Sequence, residues 1–476
     1  MNLNELTISE ARAGLDSKKF TSVELTEACL RRIEERNPEI NAYITVTREL
    51  ALAEAAKADE MIVAGKAQAL TGIPFSVKDA ICTADVRSTA AAKILDNYVP
   101  AIDATVIKKI RDQGAVLVGK TNCDTFGHGA SNENSMYGPV RNPHDTSKVA
   151  GGSSGGAAAS VADNQCIFAI AEDTGGSIRQ PAALCGISGL RPTYGRNSRS
   201  GIMPMASSLD TVGPMAKSVE DLALLMEIMA GEDTLDATTV PAPVPNYSAE
   251  INQSIKGLKI GVPKEYFELE GMDAETKTLV ENKMRDLEKL GATLVPVSLP
   301  YTKYAIPVYY IIVPSEDSSN LGRMDGIRYG VRASGNNLIE TYAQSREQGL
   351  SAEVKRRIMI GTYALSAGYY DAYYRKAQKV RTLIIRDFEN VFEQVDALVT
   401  PTTPAPAFGI GEKANDVLAM YLADVFVSPA AVAGIPALSI PAGKTAAGLP
   451  VGLQIIGPSL ADALIMHIGH QLQTLS

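Results

Sequence analysis

An α/β fold with a largely buried sheet is predicted by three observations. From position 73 onward, short apolar runs (73–77, 115–118, 166–171) alternate with helix-like or Gly-rich stretches, the texture of strands enclosed by helices. Hydrophobic residues make up 45% and charged residues 21% of the 476 positions, enough for a large core and far from the polar profile of disorder. Aromatic content is 6%, with no Trp, against 39 Gly, which fits tight turns and small-residue packing. Length sets a ceiling of about three domains.

The elements follow in order. Thr21 and Glu24 form a capping box, and Leu25, Cys29, Leu30 and Ile33 recur at helical spacing. With the Ala-rich run 49–64 they make an N-terminal helical segment over 1–66. The motif-bearing core spans 73–215, and 219–230 reads as a helix. A Pro/Thr-rich stretch (233–246, within a block 233–257) reads as a surface excursion. Beyond it come a strand at 258–262, a helix at 275–290, a strand at 293–297, helices within 352–387, strand-like pieces at 397–400, 437–440 and 452–456, and a last helix.

Charge and cysteine usage exclude several classes. The balance of 45 Lys+Arg against 54 Asp+Glu gives −9, which argues against direct nucleic-acid binding, since that needs a concentrated basic face. Five cysteines, far apart and without a C-x-x-C pair, suit reduced thiols rather than a disulfide or zinc framework. The first ten residues carry acids and no apolar core, unlike a signal peptide, and the uncharged stretch 425–443 is broken by Pro429, Pro436 and Pro441. A soluble cytoplasmic protein is expected, with no membrane contact and no metal or organic cofactor.

Two short motifs mislead. Gly114-Ala-Val-Leu-Val-Gly119-Lys120-Thr121 matches a phosphate-binding loop letter for letter, but such a loop needs a strand before its first glycine, and 105–113 reads as a helix. Asp173-Thr174-Gly175 is an aspartic-protease signature, yet that chemistry needs two carboxylates sharing a proton and no second copy exists.

Two glycine-serine segments carry the chemistry. Gly151-Gly-Ser153-Ser154-Gly-Gly156 precedes the helix-forming run 157–162, so it reads as a tight loop feeding a helix N-terminus. Asp173-Thr-Gly-Gly-Ser177 follows the strand 166–171, which sets the Ser177 hydroxyl on a turn beyond a strand end. The consecutive amides of Thr174, Gly175, Gly176 and Ser177 can point at one spot and stabilise an oxyanion, as acyl transfer demands. A serine nucleophile needs a base. His467 and His470 fall on the terminal helix and read as surface residues, while His128 and His144 show no carboxylate partner in the sequence. Lys78, at the end of the strand 73–77, is the better base, because a desolvated ammonium loses its proton readily and serves a Ser-Lys variant of the triad.

Val77-Lys78-Asp79, the 151–156 loop and Asp173-Thr-Gly-Gly-Ser-Ile-Arg-Gln-Pro181, in that order over about a hundred residues, resemble the amidase signature family. The likeness covers essentially the whole chain and is strongest to A subunits of glutamyl-tRNA(Gln) amidotransferase, through Arg191-Pro-Thr-Tyr-Gly195, Ala206-Ser-Ser-Leu-Asp210 and Met324-Asp-Gly-Ile-Arg-Tyr-Gly330. The resemblance implies one domain over 1–476, with a large mixed central sheet covered by helices on both faces. It implies a Ser-cisSer-Lys triad: Ser177 as nucleophile, Ser153 as proton relay on a cis peptide, Lys78 as base, and Ser154 as a supporting neighbour. It also implies that Arg357 and Asp424 hold the α-carboxylate and α-ammonium of glutamine, with Tyr309 lining the same pocket.

The chain departs from those A subunits near the site. Thr125 stands where they carry a glutamate, Glu172 where they carry a serine, Ala150 replaces a proline and Ser200 a tyrosine. These differences lead to the expectation of a serine amidohydrolase acting alone on small or aryl amides, extending to carbamates (urethanes). The alternatives are the glutamine-hydrolysing A subunit, with partner subunits, and a catalytically silent scaffold subunit.

Overall fold

A computed structural model describes residues 2–414 and 416–475, and Met1, Asn415 and Ser476 lie outside the described residues. Eleven strands form one mixed sheet: β1 (Tyr43–Val46), β2 (Pro74–Lys78), β3 (Val116–Thr121), β6 (Phe168–Asp173), β7 (Ser188–Arg191), β8 (Thr211–Ala216), β9 (Lys259–Pro263), β10 (Thr293–Val297), β11 (Ala397–Pro401), β12 (Ala437–Lys444) and β13 (Pro450–Ile456). Their order is β1-β3-β2-β6-β8-β7-β12-β13-β11-β9-β10, and a separate hairpin pairs β4 (Arg141–Asn142) with β5 (Asp145–Val149). The central strands β2, β3, β6, β7 and β8 are buried along their whole length, as strands covered on both faces must be. Phe75 and Phe168 stack across β2 and β6 with ring centroids 5.3 Å apart, in a core shared with Leu117, Ile170, Leu190 and Leu222.

The arrangement that matters for function lies at the middle of this sheet. β2 is parallel to both β3 and β6, with Val77 opposite Ile170. The C-terminal ends of β2 and β6 therefore emerge side by side, and Lys78 and Glu172 occupy those ends. In open α/β sheets the crevice beyond the carboxyl ends of strands is where ligands bind.

The predicted α/β class and the central mixed sheet are observed. Three local readings need correction. The strand expected at 166–171 runs over Phe168–Asp173 and takes in two acids, because both are partnered in the interior rather than solvated. β3 extends through Gly119-Lys120-Thr121, so the phosphate-loop motif is a strand, and a Cβ at Gly119 would sit 2.5 Å from the Thr45 carbonyl oxygen of β1. His467 and His470 are buried rather than exposed: the helix Asp462–Thr474 packs them on residues 252–253, where His467 meets the Gln253 carbonyl and His470 lies 3.0 Å from Asn252 Oδ1.

The stretch 233–246 is pinned to the body by its acids. Asp233 Oδ2 accepts from Ser198 and Thr105 hydroxyls, and Asp236 pairs with Arg199 at 3.0 Å. Among the described residues no helix is long and apolar enough to cross a membrane. All five cysteines are free thiols, four of them buried.

Candidate active site

Lys78 ends β2 and is 1% exposed, so it is no surface lysine. Its Nζ lies 2.8 Å from Ser153 Oγ, which is equally buried, and the Gly152–Ser153 peptide is cis. The loop carrying Ser153 is held from two sides. Gln180 Oε1 accepts from the Gly152 amide, and the Ser153 carbonyl accepts from the Asp124 amide. Ser154 joins the two serine segments, since its amide donates to the Ser177 carbonyl at 3.2 Å and its hydroxyl to the Glu172 carbonyl at 3.1 Å. The helix Gly155–Ala162 begins directly behind it.

Ser177 lies in the turn between β6 and the helix Arg179–Cys185 and retains 8% exposure. Among the described residues, the amides of Thr174, Gly175, Gly176 and Ser177 donate to no protein acceptor, whereas the next amide, Ile178, is taken by Asp173. Consecutive amides without a protein acceptor beside a serine hydroxyl are the kind of group that can receive an anion. Glycine is required here: Gly176 has φ +152°, and a Cβ on it would lie 2.1 Å from Val427 Cγ2. Asp173 is structural. Burial alone would raise its carboxyl, but Arg179 at 3.0 Å and Arg191 at 2.9 Å outweigh burial and hold it well below the usual carboxylate range. Thr174 is anchored through its hydroxyl to Asp210 Oδ1 at 2.7 Å.

Asp424 and Tyr309 face this turn from the helical region after β10, and the charge of Arg357 acts on both. A Cβ on Gly176 would sit 3.6 Å from Asp424 Oδ1, and one on Gly175 would touch the Tyr309 ring. Neither charge is a helix-surface charge, for Arg357 is 3% and Asp424 7% exposed. Arg357 comes from the helix Ala352–Leu365; its Nε donates to Glu353 at 2.8 Å, and its guanidinium lies against the stacked rings of Tyr310 and Tyr421. Asp424 Oδ1 has no hydrogen-bond partner, and burial, reinforced by the charge of Asp173, pushes its carboxyl well up. An unpartnered carboxylate beside a buried guanidinium suits a ligand carrying both an ammonium and a carboxylate. A cavity of about 310 Å³ opens beside Arg357, lined also by Ser131, Glu133, Lys413 and Tyr421. Its wall joins the serine loop, because a Cβ on Gly152 would meet the Ser131 amide nitrogen at 2.7 Å.

Sequence reasoning missed three features. Glu353, Tyr310 and Tyr421 orient Arg357, a role set by packing between distant helices. His128 pairs with Asp317, 189 positions away, and both are fully buried; its ring Nδ1 lies 2.9 Å from the Phe126 carbonyl oxygen. Glu172 Oε2 lies 3.6 Å from Lys78 Nζ. An acid at the end of one apolar run and a lysine at the end of another is the signal that, with parallel pairing, locates that contact. Thr125 gives its hydroxyl to the Ala91 and Asn134 carbonyls, which fixes a loop but supplies no charge.

This arrangement is that of an amide-bond hydrolase fold: the amidase family model matches residues 24–466, and the chain belongs to that family. It is 52% identical over 475 residues to the A subunit of glutamyl-tRNA(Gln) amidotransferase from Koribacter versatilis, covering 99% of each chain. The crystal structure of the A subunit of glutamyl-tRNA(Gln) amidotransferase from Thermotoga maritima aligns with TM-score 0.82 and 39% identity, covering 100% of this chain and 96% of that one. Peptide amidase from Stenotrophomonas maltophilia aligns with TM-score 0.83 and 31% identity over 98% and 96% of the two chains.

Proposed function

We propose that this amidase-family chain hydrolyses the side-chain amide of glutamine and releases ammonia, as the A subunit of a glutamyl-tRNA(Gln) amidotransferase. The observation that carries this reading is the buried Asp424 beside the Ser177 turn, with one oxygen lacking any partner and the charge of the buried Arg357 acting on it. The relatives at about half identity over the full chain bear that protein's name. The expectation of a hydrolase acting alone is thereby displaced to second place. In this reading, partner subunits bind the tRNA, consistent with a chain of net charge −9.

In the proposed reaction, Lys78 acts as base and takes the proton of Ser153, and Ser153 takes that of Ser177 as its oxygen attacks the carbonyl carbon. The oxyanion is held by the free amides of 174–177. As the C–N bond breaks, Lys78 returns its proton through Ser153 to the leaving nitrogen, and water then hydrolyses the acyl-Ser177 ester by the same route. A second reading, cleavage of aryl amides or carbamates, is favoured by Thr125 and Glu172, which replace residues of the A subunits.

The test is hydrolysis by the purified chain of L-glutamine, 4-nitroacetanilide and an aryl carbamate, with Ser177→Ala as the blank. Glutamine turnover that depends on Ser177 and rises when tRNA-binding partner subunits are added is the expected result. Efficient cleavage of the aryl substrates with glutamine ignored would overturn it in favour of the second reading. Activity in Ser177→Ala equal to the parent would overturn both.

A further inference from the structure

The buried carboxyl beside Lys78 has no place in the reaction as described. Among the described residues Glu172 is the only acid within 4.0 Å of Lys78 Nζ. It is 7% exposed, its Oε1 accepts no hydrogen bond, and its Oε2 faces the amine while Ser153 occupies another of the amine's contacts. The other titratable groups around it are spoken for or uncharged. Lys120, on β3, donates to the Ile81 carbonyl and to Ser88. Asp210 accepts from Thr174 and the amides of Met205 and Ala206. The thiols of Cys82 and Cys123 are held neutral, pushed up by burial.

A lone carboxylate aimed at a proton acceptor has a known use. In a Ser-His-Asp triad, the aspartate orients the base and stabilises the cation formed when the base takes the serine proton. Lysine in this site has the same need, because its ammonium arises in a dry interior where a charge without a partner is costly.

We propose that Glu172 is a positioning residue that orients Lys78 and stabilises the ammonium formed there as Ser177 is acylated. This rests on the triad reading above and adds a fourth member to it. No atom is transferred to Glu172. The proton moves from Ser177 through Ser153 to Lys78 Nζ and back to the leaving nitrogen, and the carboxylate acts through charge. The consequence has two sides. While ionised, Glu172 opposes loss of a proton from the ammonium, and it favours uptake of the Ser153 proton by the free amine. Burial, which dominates, and the neighbouring charge of Asp210 raise the carboxyl to about 7 against the pull of Lys78, so it ionises across the range in which the enzyme is assayed.

The experiment is the pH profile of kcat/KM from pH 6 to 10 for the full chain and for Glu172→Gln, Glu172→Ser and Glu172→Asp, using L-glutamine and 4-nitroacetanilide. For Gln and Ser, the acid limb is expected to move to lower pH by about 1–3 units, the effect of removing an opposite charge at this range. The high-pH plateau is expected to fall roughly 10–100-fold, the value of a charged hydrogen bond. Glu172→Asp retains the charge and keeps the limb within half that shift. A packing role would lower the rate equally at every pH, so limbs that superimpose on the parent, with Ser177→Ala inactive, overturn the proposal and leave the triad standing. Full activity in Ser177→Ala overturns the triad and the proposal together.

Discussion

Arg357 shows how a surface-type residue is held in the interior with part of its guanidinium uncommitted. Glu353 neutralises one edge through Nε, the rings of Tyr310 and Tyr421 cover a face, and the remaining guanidinium nitrogens are left for a ligand. If that ligand is the glutamine α-carboxylate, Arg357→Met raises KM for glutamine roughly 10–100-fold, the worth of one or two charged hydrogen bonds. Hydrolysis of propionamide, which lacks the α-groups, changes little; steady-state kinetics on the two substrates check this, and equal losses on both would contradict the assignment. At this scale the sequence was most informative where chemistry is local. Ser153, Ser177 and Lys78 stand in short motifs whose glycines are fixed by backbone geometry. Glu172 and the His128–Asp317 pair were opaque, since each contact depends on which strands or helices become neighbours.

At the scale of elements, β3 illustrates why a motif is read through its context. Gly119 exists for β1: its missing side chain lets the Thr45 carbonyl approach, and Tyr43 lies beside it. Gly119→Val is therefore expected to destabilise the chain by about 1–3 kcal/mol through overpacking, measured by denaturant unfolding, and neither chain is expected to bind a nucleoside triphosphate. Binding of ATP by the parent chain in calorimetry would refute the strand assignment's functional meaning. Strands at 293–297 and 397–400 were readable because β-branched residues cluster between polar turns, whereas β6 ends later than expected because the pairing of Asp173 with Arg179 and Arg191 lets an acid remain inside a sheet.

Across the whole molecule, burial raises several carboxyls toward neutrality. Burial raises Asp124 to about 7, and Asp210 and Asp221 to about 6, as it does Glu172. In the unfolded chain these groups titrate near 4, so between pH 4 and 7 the folded state binds more protons and its stability falls as pH rises. His144 and His470, lowered by burial, act in the opposite sense but are fewer. The melting temperature is thus expected to be higher at pH 5.5 than at pH 8, by scanning calorimetry; a rise with pH would contradict the burial of these acids.

The two halves of the proposed site come from separate stretches of chain, the groups proposed for acyl transfer from 78–177 and those proposed to face the ligand from 309–424. They meet across the turn at Gly175 and Gly176 and again where Ser131 lines the cavity beside Arg357. Inheritance can therefore act on them separately: a lineage can exchange what it cleaves by altering helices, without disturbing the strand ends that do the cleaving. A duplicated copy under new selection would begin diverging at positions such as Arg357 and Asp424, long before the strand ends changed.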